Sequence, residues 1–543
     1  MNGMMMESQL TLTAVIRRAL CNSPDSEVIS VTLDNPLHRY SYKQAFARAA
    51  QLAQVLCMLG ANRGDRIGTL AWNDHRHFEL YYATSCSGLV CHTINPRLFP
   101  EQIHYIIEHA EDRWLFIDPL FVPLIESLED KLSTVEGVIV LTDRAHMPDS
   151  KLANYYCYED LLVNQPSCFQ WPDLREESAA ALCYTSGTTG NPKGVLYSHR
   201  AMALHTYGVL MPDAFAIRRD EAILPVVPMF HVNAWSIPYA APAVGAKLVL
   251  PGPSMGCGET LSKLIRQESV TIAAGVPTVW LALLKYLRNS KETLPSLNRV
   301  VVGGSACPWS IMEEFEQQHG VYTHHAWGMT EMSPLGTYNA RIAPSIAPKE
   351  AKKLRLKQGR AGFGVEMRIV GPQENLLPHN GTAFGALQVR GPWICERYFK
   401  SEESALTTDG WFDTGDVATI DSLGYLTITD RTKDVIKSGG EWISSIELEN
   451  FAMTLEGVAE AAVIGVTHEK WAERPLLLVV LETGVKLKPD KILSTFQGQF
   501  AKWWIPDDCI IIDELPLTAT GKISKKDLRQ KFSEHLWPQE ITV

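Results

Sequence analysis

The 543-residue sequence predicts an α/β fold: a large N-terminal domain of stacked α/β sheets with a β-barrel-like subdomain, then a small C-terminal α+β domain. Three observations predict it. Short β-type runs alternate with helical patterns over most of the chain, the pattern of parallel strands joined by helices. From about Gly362 the pattern changes to short strands separated by turns. After Asp430 a fresh helix–strand pattern begins. The boundary is therefore expected at residue 430, giving domains 1–430 and 431–543.

Each element has a local reason. Ser41 can cap a helix running to about Leu59, with Phe46, Ala49, Ala53 and Leu56 on one face and Gly60 ending it. Arg66 to Trp72 reads as a strand, as do Val138 to Leu141, Lys247 to Leu250, Thr271 to Ala274 and Arg299 to Val302. The short strands of the later region are Glu366 to Val370, Gly385 to Arg390 and Leu426 to Thr429. Ala461 to Val466 and Leu476 to Leu481 belong to the small domain. No internal repeat or low-complexity tract interrupts this order.

Composition excludes several function classes. With 46% hydrophobic and 20% charged residues the chain is far too apolar for a disordered protein. Its net charge of −11 argues against nucleic acid or an anionic membrane as partner. The eleven cysteines are scattered, and Cys86 and Cys91 form a C-x4-C pair with no matching second pair. Reduced thiols are expected, with neither a disulfide framework nor a zinc site. Met1 to Leu10 lacks the basic region and apolar core of a signal peptide. The uncharged stretch Ala222 to Ala246 holds Pro225, Pro228, Pro238 and Pro242, which suit a membrane span badly. A cytoplasmic protein with no transmembrane segment is the expectation.

The most informative segment runs from Tyr184 to Val195, Tyr-Thr-Ser-Gly-Thr-Thr-Gly-Asn-Pro-Lys-Gly-Val, just after the apolar Ala179 to Cys183. Gly187, Gly190 and Gly194 let backbone approach a polyanion, and Thr185, Ser186, Thr188, Thr189 and Ser198 supply hydroxyl donors. Lys193 supplies a mobile positive charge. A Walker A loop requires Gly-Lys-Ser/Thr, whereas Lys193 lies between Pro192 and Gly194. On composition alone a flexible Gly/Thr turn is an equal alternative.

This loop resembles the signature of the adenylate-forming superfamily, which includes acyl-CoA synthetases, luciferases and the adenylation domains of peptide synthetases. Four further segments match that family in order: His325-Ala326-Trp327-Gly328-Met329-Thr330-Glu331, Trp411-Phe412-Asp413-Thr414-Gly415-Asp416, Asp430-Arg431-Thr432-Lys433-Asp434 and Thr520-Gly521-Lys522. The likeness covers roughly residues 10 to 535. Pro228-Met-Phe-His231-Val-Asn-Ala-Trp235 and Ser438-Gly-Gly-Glu441-Trp442-Ile-Ser are similar to the fatty acyl-CoA synthetase branch, and the loops to bacterial medium-chain members.

The resemblance implies an ATP-dependent acid–thiol ligase, with ATP, CoA and a fatty acid as substrates and Mg²⁺ as the metal. Residues 1–430 would be the AMP-binding domain and 431–543 a mobile domain carrying the catalytic lysine, Lys522. Residues Thr185, Ser186, Gly187, Thr188, Thr189, Gly190 and Lys193 would hold the β- and γ-phosphates. Thr330 and Glu331 would meet the α-phosphate region, with Thr185 and Glu331 at the metal. Gly303, Gly304 and Ser305 resemble the adenine shelf, joined by His325, Ala326 and Trp327, the last standing where many relatives carry Tyr. Asp416 would take the ribose hydroxyls and Arg431 support ribose or phosphate. Lys433 would be a hinge or nucleotide contact, and Lys437 and Trp442 would lie near the thiol channel. His231 and Trp235 would line the site of the acid, where its carboxylate end meets an apolar tunnel, and Trp235 resembles a gate indole that swings when ATP binds in long-chain relatives.

Other readings within the same resemblance are a ligase for a short branched, sulfur-containing or aryl acid, a luciferase-like oxidase, or a module serving a carrier protein. Only about twenty residues follow Lys522, too few for a carrier domain. A scaffold without activity is disfavoured by the joint presence of Lys193, Glu331, Asp416, Arg431 and Lys522. A homodimer is suggested by analogy with related synthetases.

Overall fold

The computed structural model describes the chain apart from residues 2, 186–190, 439–440, 483, 518–522 and 538–543, and apart from the side chains of residues 441–442. The chain divides into two compact units, Met1–Glu366 with Arg390–Phe412, and Met367–Val389 with Asp413–Val543.

Among the described residues, the first unit holds two large sheets. The seven-stranded sheet has the order Tyr155–Cys157, Gly137–Val140, Asp112–Ile117, Arg66–Leu70, Val90–Thr93, Ala179–Tyr184, Gly194–Ser198. Its first six strands are parallel and the last is antiparallel. The nine-stranded sheet runs Arg360–Ala361, Leu335–Tyr338, Tyr322–Gly328, Arg299–Val302, Ile272–Gly275, Ala222–Pro225, Lys247–Leu250, Glu27–Ser30, His38–Ser41. Its six central strands are parallel, with antiparallel strands at both ends. Strands such as Val90–Thr93 and Gly137–Val140 are buried at every position, as parallel strands covered on both faces must be.

The helix expected after Ser41 is Tyr42–Met58. Ser41 and Gln44 form a reciprocal capping box, and Phe46, Ala49, Ala53 and Leu56 face the core. The strand expected to reach Trp72 stops at Leu70, because the Trp72 amide donates to Asp118 Oδ2 (2.7 Å) instead of to a neighbouring strand. Six of the eleven cysteines are buried. Among the described residues, no helix is long and apolar enough to cross a membrane.

In the second unit the segment read as barrel-like forms a four-stranded sheet, Glu366–Val370, Phe384–Arg390, Phe412–Ile420, Leu426–Arg431. A five-stranded sheet follows, built on the long antiparallel pair Val458–His468 and Ala472–Leu481. Ile436, Leu448, Val463, Leu477 and Phe496 are among the residues that form its core.

One buried side chain fixes where the uncharged 228–235 segment begins. Asn73, fully buried, donates through Nδ2 to the carbonyls of Pro225 (2.9 Å) and Val227 (2.8 Å) and accepts from the Met229 amide (2.6 Å). The fully buried Tyr81 donates its hydroxyl to the Met229 carbonyl. Asn73→Ala strands three backbone groups at once, so it is expected to destabilise the first unit by about 3 kcal/mol. Urea unfolding checks this, and a loss below about 1 kcal/mol would refute the anchoring role.

Candidate active site

The phosphate-type loop joins the antiparallel strands Ala179–Tyr184 and Gly194–Ser198. Thr185 opens it and Lys193 closes it. The Thr185 amide donates to the Lys193 carbonyl (2.9 Å), and the Lys193 amide donates to the Thr185 hydroxyl oxygen (3.1 Å). Ser186, Gly187, Thr188, Thr189 and Gly190 lie outside the described residues.

Thr330 and Glu331 occupy one 3₁₀ turn, Thr330–Met332, and both are buried. Three groups hold that turn. Tyr197 donates its hydroxyl to the Thr330 carbonyl (2.6 Å). The Cys395 amide donates to the Glu331 carbonyl (2.7 Å), and Tyr398 donates its hydroxyl to Glu331 Oε1 (2.8 Å). Burial and the adjoining carboxylate push the Tyr398 phenol upward, so it stays a donor. The Lys193 ammonium lies 4.7 Å from the centroid of the same ring. One aromatic side chain therefore links the loop lysine to the buried glutamate. The carboxylate and the Thr185 hydroxyl are hard oxygen donors of the kind Mg²⁺ takes.

Trp235 sits in an unusual backbone. Val232, Asn233, Ala234, Trp235 and Ser236 all have positive φ, between 45° and 60°. Left-handed geometry costs roughly 1–2 kcal/mol per residue with a side chain, so the surroundings must impose it. The Cys183 thiol donates to Asn233 Oδ1 (3.3 Å), His205 Nδ1 pairs with the Ser236 hydroxyl (2.8 Å), and Tyr82 donates to the Pro238 carbonyl (2.9 Å). The Trp235 indole is buried, edge-on to Phe215 at 6.3 Å. Its tip fills the space left by Gly303, where a Cβ would come within 2.9 Å of the ring. Gly304, with φ of +82°, and Ser305 follow as exposed residues. His231 is exposed and starts the turn, its carbonyl accepting from the Ala234 amide (3.2 Å).

The strand Tyr322–Gly328 brings His325 and Ala326 into the interior beside Gly303. Trp327 is half-buried over Gly336, where a Cβ would meet the ring at 2.6 Å. Burial lowers the pKa of His325 to about 4, so the ring is neutral.

The remaining candidates belong to the second unit. Asp416 and Arg431 are cross-strand partners, with Arg431 Nε 3.8 Å from Asp416 Oδ1. Lys433 adjoins Asp434, whose carboxylate binds Arg529 (2.5 Å). Lys437, exposed, pairs in register with Trp442 and donates its amide to Glu473 Oε2 (2.9 Å). Lys522 lies outside the described residues. The helix that follows it, Lys525–Lys531, is anchored by Lys525 to Glu449 (2.7 Å) and to the Ser445 hydroxyl (2.5 Å). Asp430 in turn accepts from the Ser445 amide (2.5 Å). The segment that opens with Asp430 and the helix after Lys522 thus share one buried polar cluster.

Sequence reasoning missed Tyr197, His205 and Tyr398. Each comes from a segment distant in the chain from the motif it supports, and no local spacing marks it. Gly303→Ala, which drives a methyl into the Trp235 indole, is expected to cost about 1–3 kcal/mol. Paired with Trp235→Phe, it is expected to cost less than the sum of the two single changes. A double-mutant cycle by thermal unfolding measures this, and strict additivity would count against the contact.

Comparison with known proteins identifies the family. The AMP-binding enzyme model matches residues 16–399 and the AMP-binding enzyme C-terminal domain model matches residues 447–522. A 3-methylmercaptopropionyl-CoA ligase of Ruegeria lacuscaerulensis is 47% identical over 99% of this chain and 100% of its own length. A medium-chain-fatty-acid–CoA ligase of Ectopseudomonas oleovorans is also 47% identical, over 99% of this chain and 98% of its own. Among solved structures, ATP-bound MatB from Rhodopseudomonas palustris superimposes with a TM-score of 0.83 at 25% identity, covering 97% of this chain and 99% of that one. The chain belongs to the AMP-binding enzyme family.

Proposed function

We propose that this protein is an ATP-dependent fatty-acid–CoA ligase for medium-chain acids. The acid's carboxylate oxygen attacks the α-phosphorus of ATP and pyrophosphate leaves. The CoA thiol, giving up its proton, then attacks the acyl carbon of the acyl-adenylate, and AMP leaves. The observation that carries this reading is the Lys193–Tyr398–Glu331 link, in a chain 47% identical over nearly its whole length to a medium-chain-fatty-acid–CoA ligase.

Two anions must meet in the first step, so positioning and charge neutralisation dominate. The 185–193 loop would cradle the terminal phosphates, with Thr330 at the α-phosphate. Thr185 and Glu331 would hold Mg²⁺, which supplies charge neutralisation at the phosphate oxygens. Gly304, Ser305, His325, Ala326 and Trp327 would receive adenine, Asp416 the ribose, and Arg431 ribose or phosphate. His231 and Trp235 would flank the acid. Lys522 would bridge carboxylate and α-phosphate as charge develops. Residues 431–543 would act as a mobile domain hinged near Lys433, presenting Lys522 in the first step and Lys437 and Trp442 in the second. A cytoplasmic location and a homodimer belong to the same reading.

The 47% identity to the 3-methylmercaptopropionyl-CoA ligase supports a second reading, a short sulfur-containing acid. A kcat/KM series over straight-chain acids from about C4 to C16, with 3-methylmercaptopropionate alongside, separates the two. An optimum from about C6 to C12 is expected; one at C4 or below, or above C14, would exclude the medium-chain assignment, and a tenfold preference for the sulfur acid would establish the second.

Two substitutions test the site. Lys522→Ala is expected to abolish acid-dependent ATP–pyrophosphate exchange yet spare thioester formation from supplied acyl-adenylate; equal loss of both half-reactions refutes its assigned role. Tyr398→Phe keeps the ring beneath Lys193 and removes the bond to Glu331. It is expected to slow exchange by about tenfold or more, the scale of a hydrogen bond to a charged group. Exchange at the wild-type rate would sink the link.

A further inference from the structure

We propose that His205 is a positioning residue that ties the left-handed turn bearing Trp235 to the turn bearing Glu331, so that a single ring sets both. The proposal rests on the reading above in assigning the acid to the first turn and the nucleotide to the second.

His205 projects from the helix His199–Leu210, which starts directly after the strand Gly194–Ser198, and its side chain is almost wholly buried. Both ring nitrogens are used. Nε2 lies 2.9 Å from the Leu335 amide, and Nδ1 lies 2.8 Å from the Ser236 hydroxyl. A backbone N–H can only donate, so Nε2 is the unprotonated nitrogen. In the neutral ring the proton then sits on Nδ1, which donates to Ser236. Burial lowers the pKa to about 3, so the ring holds this one tautomer throughout the ordinary pH range. The bridge therefore has a fixed direction, Leu335 amide to imidazole to Ser236 hydroxyl.

Each end is a place where position matters. Ser236 closes the run of five positive-φ residues and is the immediate neighbour of Trp235. Leu335 follows Glu331 by four residues, and its carbonyl accepts from Trp393 Nε1 (3.2 Å). The backbone carbonyl of Trp393 accepts from the Ser333 hydroxyl (3.0 Å). The Trp393 ring stands edge-on to His205, with centroids 5.8 Å apart. With both backbone groups of Leu335 engaged, the segment after Glu331 cannot shift without moving the imidazole or Trp393. A displacement of the imidazole pulls on Ser236. The bridge thereby gives the ATP-linked swing that the resemblance implies for this indole a route, from the Glu331 turn through His205 to Ser236, and such coupling is reciprocal.

The test uses the full chain labelled with 5-fluorotryptophan, the Trp235 resonance being assigned by its loss in Trp235→Phe. Mg–ATP is the probe, and calorimetry confirms its binding. In the wild type the Trp235 ¹⁹F resonance is expected to move on saturation with Mg–ATP. In Ser236→Ala, which cuts only the acid-side bond, most of that movement should vanish while ATP affinity stays within about threefold. Should Ser236→Ala misfold, Ser236→Gly removes the same hydroxyl and suits the positive φ. ¹⁵N spectra should show a protonated Nδ1 and an unprotonated Nε2 for His205. The proposal is overturned if a folded Ser236 variant keeps the wild-type movement, if Trp235 is silent while ATP is bound, or if Nε2 carries the proton. Failure of the ligase reading looks different: no acid on the panel drives pyrophosphate exchange, although Trp235 still responds to ATP through Ser236.

Discussion

Burying the Glu331 carboxylate constrains everything around it. A charge removed from water must be met by hydrogen bonds, and its backbone turn must be held from outside because a single 3₁₀ turn has little stability of its own. Tyr398 meets the carboxylate, Tyr197 and the Cys395 amide hold the turn, and His205 and Trp393 fix the chain that follows. These five come from two stretches of the sequence, 197–205 and 393–398, both distant in the chain from Glu331. Both stretches therefore have to pack against the Thr330–Met332 turn before the carboxylate is in place.

The same logic explains the second unusual feature, the left-handed run from Val232 to Ser236. Of the five, only Asn233 is of a type that readily takes such a backbone, and two, Val232 and Trp235, are especially unsuited to it. Buried polar groups from several elements impose it: Asn73 and Tyr81 at the entry, Cys183 and His205 within, Tyr82 at the exit. Among the described residues, the longest run of such backbone is the segment that bears Trp235, whose indole packs against Gly303.

The charge of the chain is instructive in the same way. A net −11 bounds the class of macromolecular partner, yet the ligands proposed here are all anions. Placement reconciles the two: Lys193 lies at the mouth of the phosphate-type loop, and Arg431, Lys433 and Lys437 are grouped within a short stretch of the second unit.

Much of this protein was legible from its residues. Alternating strand and helix patterns specified the α/β architecture, because hydrophobic periodicity is a local property. The capped helix Tyr42–Met58 and the strands Lys247–Leu250 and Arg299–Val302 lie where the spacing put them. Ordered motifs with Lys193, Glu331, Asp416, Arg431 and Lys522 pointed to the family, because the chemistry needs those residue types in those contexts. What the residues alone did not disclose were partners brought in from afar. Tyr398 beneath Lys193, His205 between Ser236 and Leu335, Asn73 on three backbone groups and Gly303 under the Trp235 indole are contacts between segments separated by tens to hundreds of positions. Sequence spacing carries no record of them. They exist because close packing and the satisfaction of buried polar groups are settled in three dimensions, and there the tertiary structure alone decided which aromatic ring, which imidazole and which missing side chain would hold the site.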